Sequence, residues 1–481
     1  MEGNSSAASS RSGVSVLQGT GMKCGRKKQS LAELEAIVRI SAPLAAAYLA
    51  EIAMGITDML FVGRLGGLEL AAVGLASSVL FEVVIVAVGL VSIVTVLAAE
   101  ARGAGSAEGV RHAVRQGFVV ALGLGIAATI ISVNLARVLA LTGQDPAVVV
   151  LAERYLQAAA WSITPYLLFI VLRSFVSALS RAGSVMVVTV AAIAVNALFT
   201  YGLVFGALGM PALGVAGAGW AKTITVWLML GALAVHTATS RNFRSFRLYA
   251  SGLRIDRAVI KEIFRLGTPV AGIALLESGL FVAVSIFMGV LGASWLAANQ
   301  IMFNVIATAF VIALAIGEAT GVRVAHGVGA GAPRDVRRSA LTGIGLGTFV
   351  MLISAGLLWL YPRQIVSIFL DASDAKNADV VTYAVVLAGI AAVFQLFDGL
   401  QAVASRALRG MKDTLVPLWI ASIGYWLLGL LGGWVLCFAL GYGARGLWWG
   451  LALGLIVTAV ALVWRLMART RIDYSAVNGR A

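Results

Sequence analysis

The chain has 481 residues, of which 60% are hydrophobic and only 12% charged, and its mean hydropathy is +0.95. A soluble chain of this length would normally be about a quarter charged, and its surface-to-volume ratio would not let it hide this much apolar area. The net charge of +14 lies almost entirely between apolar runs rather than in an aromatic-basic cluster, which excludes a nucleic-acid platform and leaves lipid as the solvent for most of the chain.

Residues 1–34 come first. Their opening stretch is rich in Ser and Gly, ends in Lys23, Arg26, Lys27 and Lys28, and lacks the apolar core of a cleaved signal peptide. This reads as a disordered cytoplasmic tail. A helix needs roughly 20 apolar residues to cross a bilayer. Runs of that kind fall at 37–62, 69–98, 113–139, 152–178, 185–209 and 215–238, then at 263–291, 296–321, 338–361, 380–404, 415–440 and 446–467. The expected domains are an N-lobe over 35–238, a cytoplasmic linker over 239–262, a C-lobe over 263–468 and a cytoplasmic tail over 469–481.

Basic residues collect in alternate connections. Arg102, Arg111 and Arg115 follow the second run; Arg241, Arg244, Arg247, Arg254, Arg257, Lys261 and Arg265 occupy the central loop. Arg334, Arg337, Arg338, Arg409, Lys412, Arg465, Arg469 and Arg471 continue the series. The positive-inside rule then places both termini in the cytoplasm, which twelve spans permit. Trp426, Trp434, Trp448, Trp449 and Trp464 read as interfacial belt residues. Cys24 and Cys437, and the scattered His112, His236 and His326, form neither a disulfide framework nor a metal motif.

An internal repeat is the strongest architectural signal. Pro43, Glu51, Gly63, Leu65, Gly66, Leu70, Ala71 and Ala72 recur 226 residues later as Pro269, Glu277, Gly289, Leu291, Gly292, Leu296, Ala297 and Ala298. Gly103, Gly105 and Arg111 recur as Gly329, Gly331 and Arg337 at the same offset. Six spans per repeat give two halves of equal orientation, related by an axis along the membrane normal. Two such bundles suit alternating access. The chain contains no HExxH, GxSxG or phosphate-binding loop, so a transporter is expected rather than an enzyme.

Ionisable residues inside spans are costly and mark function. Asp58 in the first segment, Glu277 in the seventh and Asp398 in the tenth have no basic residue within a turn on their own helix. A carboxyl taken out of water holds its proton more tightly and, with neighbouring oxygens, can hold Na⁺ instead. These three are the candidates for cation or proton coupling, with Glu277 and Asp398 as the metal ligands if the ion is sodium. Glu51 lies seven residues before Asp58 and is the repeat partner of Glu277, which leaves it either a relay group or a remnant. Position 284, the repeat partner of Asp58, is Val. Glu100 and Glu318 sit beside Arg102 and Arg323 near span ends; Glu82 has no such neighbour. Gln395 and Gln401 give the tenth segment a polar stripe with Asp398, and Asn196, Asn299, Gln300 and Asn304 could extend a polar cavity or bond between helices.

These residues lie in stretches that resemble the multidrug and toxic compound extrusion (MATE) family, in its NorM-like branch: TDMLFVGRLGGLELAAVGLA at 57–76, PVAGIALLESGLF at 269–281, LGASWLAANQI at 291–301 and FQLFDGLQAVASRALRGMKDTLVP at 394–417. The resemblance covers 35–468. It implies an all-α fold of twelve transmembrane helices in two six-helix lobes around a V-shaped cavity, and export of cationic or amphiphilic drugs in exchange for Na⁺ or H⁺, with no cofactor. It implies roles in coupling for Asp58, Glu277 and Asp398, and a place near the N-lobe site for Asn196. This chain departs from the family at Asn299, where His is frequent, and at Phe394, where some members have Tyr. Other implied properties are a multi-pass protein of the cell (inner) membrane, surrounded by lipid, functioning as a monomer on small-molecule substrates. A flippase for lipid-linked precursors is the rival reading; it would want a basic cavity, and Arg173 and Lys222 are the chief bases within the spans.

Overall fold

The computed structural model describes residues 12–141, 143–249, 255–371 and 374–471. Twelve of its helices are long and apolar enough to cross a membrane. They are α1 (Ser12–Gly63), α2 (Gly67–Gly103), α3 (Ala107–Ala140), α4 (Pro146–Ala178), α5 (Gly183–Phe205) and α6 (Val215–Thr239) in one half. The other half holds α7 (Arg257–Leu291), α8 (Ala293–Gly329), α9 (Pro333–Leu360), α10 (Ala378–Gly410), α11 (Leu415–Ala439) and α12 (Gly443–Arg469). No strand occurs among the described residues.

Several helices outrun the apolar segments. α2 ends at Gly103 rather than 98, and α8 at Gly329 rather than 321. Hydrophobicity marks only the part of a helix inside hydrocarbon, whereas winding continues into the interface for the cost of propagation alone. The same reasoning applies to the N-terminus. α1 starts at Ser12, inside the stretch expected to be a disordered tail, while residues 1–11 lie outside the described residues.

The repeat is visible in the backbone. Gly63 faces Leu70, and Gly289 faces Leu296, the same pair 226 residues on. Gly105 and Gly331 both adopt positive φ, 75° and 61°, in the turns after α2 and α8; a side chain there would be strained. Pro43 and Pro269 each lie inside a helix, α1 and α7. The halves therefore form two six-helix lobes of common design.

The lobes join from the middle of α2 and α7 to the ends of α2 and α8. A Cβ on Gly89 would lie 2.7 Å from the Ala271 Cα, and one on Gly267 would lie 2.6 Å from the Leu90 carbonyl. At the far end, Gly103 meets the His326 carbonyl and the repeat-related Gly329 meets the Glu100 carbonyl, with no room for a side chain at either. Small residues permit this backbone approach where lipid supplies no hydrophobic drive. Polar bonds then fasten the same end. Arg323 binds Glu33 through two 2.8 Å hydrogen bonds, Arg409 donates to Ser92 at 3.0 Å, and Lys412 reaches Glu100 at 2.6 Å and Glu262 at 3.1 Å. Burial opposes the charge on Lys412, yet Glu100 and Glu262 hold its ammonium above the ordinary lysine range.

The central connection is more than a flexible joint. It contains a short helix, Arg241–Arg244, and residues 250–254 lie outside the described residues. Phe243 and Phe246 are buried against Phe175 of α4, with ring centroids 5.6 Å apart in both pairs. His112 meets the Asp256 carboxylate at 2.9 Å, and Arg115 donates to the Leu248 carbonyl at 2.9 Å. The linker is thus packed onto the first lobe. The bond from His112 holds the Asp256 carboxyl below the usual range, helped by the amide of Ala258.

Candidate functional site

The apolar surroundings of the acids make their partners the deciding feature, because an unpaired charge in this setting is costly. Asp58 faces α5. Its Oδ1 accepts hydrogen bonds from Asn196 Nδ2 at 2.7 Å and Thr200 Oγ1 at 2.9 Å. Asn196 and Thr200 are four residues apart on one helix, so a single face of α5 delivers both donors. All three residues are buried. Lys222 on α6 is the basic residue within electrostatic reach of Asp58.

Glu51, two turns earlier on α1, belongs to a different network. Arg173 of α4 lies 3.2 Å from Glu51 Oε1, and the Tyr166 hydroxyl donates to Oε2 at 3.0 Å. The Arg173 guanidinium also sits over the Tyr48 ring, 4.9 Å from its centroid, a favourable cation-π arrangement. Glu51 is therefore ion-paired, and its neighbours are an arginine and two tyrosines rather than Asp58.

The second lobe is arranged differently. Glu277 of α7 and Asp398 of α10 line one small pocket with Leu280, Phe281, Phe394, Tyr425, Leu451 and Leu455. Its volume is about 10 Å³, room for about one water-sized group. Neither carboxylate has a hydrogen-bond partner among the described residues, and each lies within the field of the other. The positive group acting on both is Arg406, whose Nε is 3.3 Å from Glu318. Phe394, one turn before Asp398, contributes a ring and no donor; it packs edge-on to Phe281 and Trp448.

The remaining polar candidates lie apart from this pocket. Gln395 turns toward α9 and accepts from Ser354 at 3.3 Å. Gln300 is exposed, 3.4 Å from Ser285. Asn299 accepts from the indole of Trp448 at 3.1 Å. Trp448 is fully buried, so it belongs to the lobe interior and not to an interfacial belt; sequence shows an aromatic near a span end but not the polar partner that draws it inward. Glu82 accepts from the Ser278 hydroxyl at 2.7 Å, a bond between lobes beside Glu277. Among the described residues no three His, Cys, Asp or Glu side chains cluster as a metal site. Two carboxylates are nonetheless a fitting hard-oxygen set for a small cation that keeps few protein ligands.

Thr200, Tyr166, Ser278 and Tyr425 were not visible as functional residues in the sequence. Thr200 had a usable signal, since it lies one helical turn from Asn196. The other three are single hydroxyls in apolar helices and gain meaning only from helices distant in sequence.

These features define a two-lobed, twelve-helix membrane protein whose lobes each enclose buried acids. The MatE family model matches residues 43–202 and 269–435, two stretches whose starts are one repeat apart. Multidrug resistance protein NorM of Burkholderia vietnamiensis is 41% identical over 436 residues, covering 90% of this chain and 93% of that protein. Probable multidrug resistance protein NorM of Pseudomonas aeruginosa is 38% identical over 460 residues, covering 94% of each. A crystal structure of a eukaryotic MATE transporter superposes with a TM-score of 0.82 at 22% identity, covering 93% of this chain and 97% of that one. An outward-facing multidrug resistance MATE family transporter gives a TM-score of 0.83 at 18% identity, with 91% and 96% covered. The chain belongs to the MatE family, the multidrug and toxic compound extrusion transporters.

Proposed function

We propose that this protein exports organic cations and amphiphilic drugs by antiport with Na⁺ or H⁺, and that the coupling ion is taken by Glu277 and Asp398. The observation that carries this reading is the convergence of two hydrogen-bond-poor carboxylates on one small pocket in the second lobe. A pocket of that size suits a proton or a bare ion, while a drug must bind elsewhere, between the lobes. The names of the curated relatives support multidrug resistance as the physiological setting.

In this scheme the ion enters the acid pair when the lobes are apart on the outer side. Neutralising the pair removes the charge that an organic cation would seek, so the cation is released. Asp58, held by Asn196 and Thr200, contributes a fixed acceptor from the first lobe. Return of the lobes about the α2–α7 and α2–α8 contacts exposes the pair to the cytoplasm. The basic connections support a reading in which the fastened end, with Lys412, Arg409 and Arg323, and both termini lie on the cytoplasmic side of the cell (inner) membrane. That one chain carries both lobes supports the monomer as the working unit.

The test uses purified protein in liposomes loaded with ethidium. Efflux driven by an imposed Na⁺ gradient or pH gradient, and absent in Asp398→Asn, is the expected result and names the ion. Absence of efflux under both gradients would overturn the reading and turn attention to flipping of lipid-linked substrates in the same vesicles.

A further inference from the structure

The acid pocket contains an oxygen that no described residue uses. Tyr425 of α11 lines it together with Glu277 and Asp398. The side chain is 2% exposed, and its hydroxyl is buried without a hydrogen-bond partner. A buried polar group left unmatched costs free energy, so in a native protein it needs a reason. Both carboxylates lie within electrostatic reach of this hydroxyl, and no other hydroxyl lines the pocket.

The backbone around Tyr425 is also unusual. Residues Ile423–Leu431 are wound as a π-helix, and Val435–Ala439 return to the same winding. Such i→i+5 winding is rare and recurs at functional sites. Glycine chemistry accounts for it here. Gly424 and Gly429 are five apart, one residue more than an α-helical stripe allows, and Gly433 follows four later. Gly424 and Gly429 meet Gly454 of α12, and Gly433 meets Gly450, with backbone against backbone. An α-helical register would carry these glycines off the α12 face, so the packing and the winding support one another. The consequence is local: with Gly424 on α12, the neighbouring Tyr425 is buried in the lobe and lines the pocket of the acid pair.

We infer that Tyr425 is a third oxygen ligand of a sodium site formed with Glu277 and Asp398, and that it sets the preference of this site for Na⁺ over K⁺. This rests on the reading that the acid pair takes the coupling ion. A proton needs only a carboxylate, whereas a bare cation needs several oxygens to replace its water. A phenol oxygen offers lone pairs without adding charge. Two carboxylates and one neutral oxygen in a space for about one water-sized group describe a site for a small ion. The other ring near the acids, Phe394, offers no oxygen.

The experiment measures ion binding and not transport. Full-length protein in detergent is titrated calorimetrically with NaCl, then with KCl, at constant ionic strength set by choline chloride and at fixed pH. Three proteins are compared: native, Tyr425→Phe and Asp398→Asn. Phe keeps the ring that fills the lobe, and unfolding temperature in choline alone checks that each variant is folded. The expected result is saturable Na⁺ binding by the native protein, binding weakened about tenfold with reduced discrimination against K⁺ in Tyr425→Phe, and no binding in Asp398→Asn. Unchanged affinity and selectivity in Tyr425→Phe, with binding still lost in Asp398→Asn, would overturn the role of Tyr425 and leave the acid pair standing. No Na⁺ heat from the native protein would overturn both the ligand role and sodium as the ion. Should Tyr425→Phe fold poorly, Tyr425→Trp, which keeps a ring but carries no oxygen, replaces it, and native Na⁺ affinity in that variant overturns the proposal.

Discussion

Glu51 and Glu277 occupy the same position in the two halves of one duplication, yet their surroundings are opposite. Glu51 has an arginine at 3.2 Å and a tyrosine hydroxyl at 3.0 Å. Glu277 has a second carboxylate for a neighbour and no hydrogen-bond partner among the described residues. One turn-pair further along, Asp58 takes two donors from α5, while its repeat position is the buried Val284. The first lobe satisfies its acids with the protein's own groups. In the second, Glu277 and Asp398 face one pocket without a hydrogen-bond donor among the described residues, and under the proposed function the coupling ion fills that role. Duplication thus supplied two similar frames in which the repeat-paired glutamates Glu51 and Glu277 have different partners.

The largest expected effect follows from removing a member of the Glu277–Asp398 pair. Asp398→Asn should reduce gradient-driven efflux to the level of empty liposomes while leaving the unfolding temperature near native, because no protein partner is orphaned. A large drop in stability would mean that Asp398 is held as tightly as Glu51. In the first lobe the balance should reverse. Glu51→Gln leaves Arg173 buried and unpaired, a loss of roughly 3 kcal/mol, read by thermal or denaturant unfolding in detergent. The double change Glu51→Gln with Arg173→Gln should recover most of it. Gly329→Val drives a side chain into the Glu100 carbonyl and should cost about 1–3 kcal/mol of lobe contact. Spin labels on α2 and α8 would report the wider separation, and native distances would show that the contact is not required. Asn196→Ala should cost about 1 kcal/mol, as Thr200 still donates to Asp58.

The smallest effect concerns Lys412. Its charge is favoured in the folded state, so the stabilising contribution is present throughout the range below the ordinary lysine value, about 10.4. It is lost only as pH rises through the higher folded value. Lobe separation at that end should be constant from pH 5 to 9 in the native protein, and Lys412→Met should change stability by less than about 1 kcal/mol. A pH-dependent opening within that window would assign the fastening to other groups.

Much of this contrast was legible before the structure. A carboxylate stands out in an apolar run, so Asp58, Glu277 and Asp398 could be singled out, and the repeat offset pairs Glu51 with Glu277. Partners were not legible, because Arg173, Thr200 and Tyr425 come from helices over a hundred residues away or lie where aromatic residues have a simpler use at the interface. Hydropathy likewise marked the hydrocarbon-embedded part of each helix but not the ends, and Ser- and Gly-rich composition did not reveal that α1 winds on from Ser12. The role of Phe243 and Phe246 was hidden by the arginines around them. Trp448 was misplaced for the reason that Asn299 can draw an indole into the interior.

The most direct test of the account sets the two repeat-paired glutamates side by side. Ethidium efflux under an imposed ion gradient is measured for Glu277→Gln and for Glu51→Gln with Arg173→Gln, per unit of folded, inserted protein. Gradient-driven efflux should be absent from the first and retained in the second. Retained efflux in Glu277→Gln, with loss in the Glu51 variant, would place the coupling ion in the first lobe and contradict it.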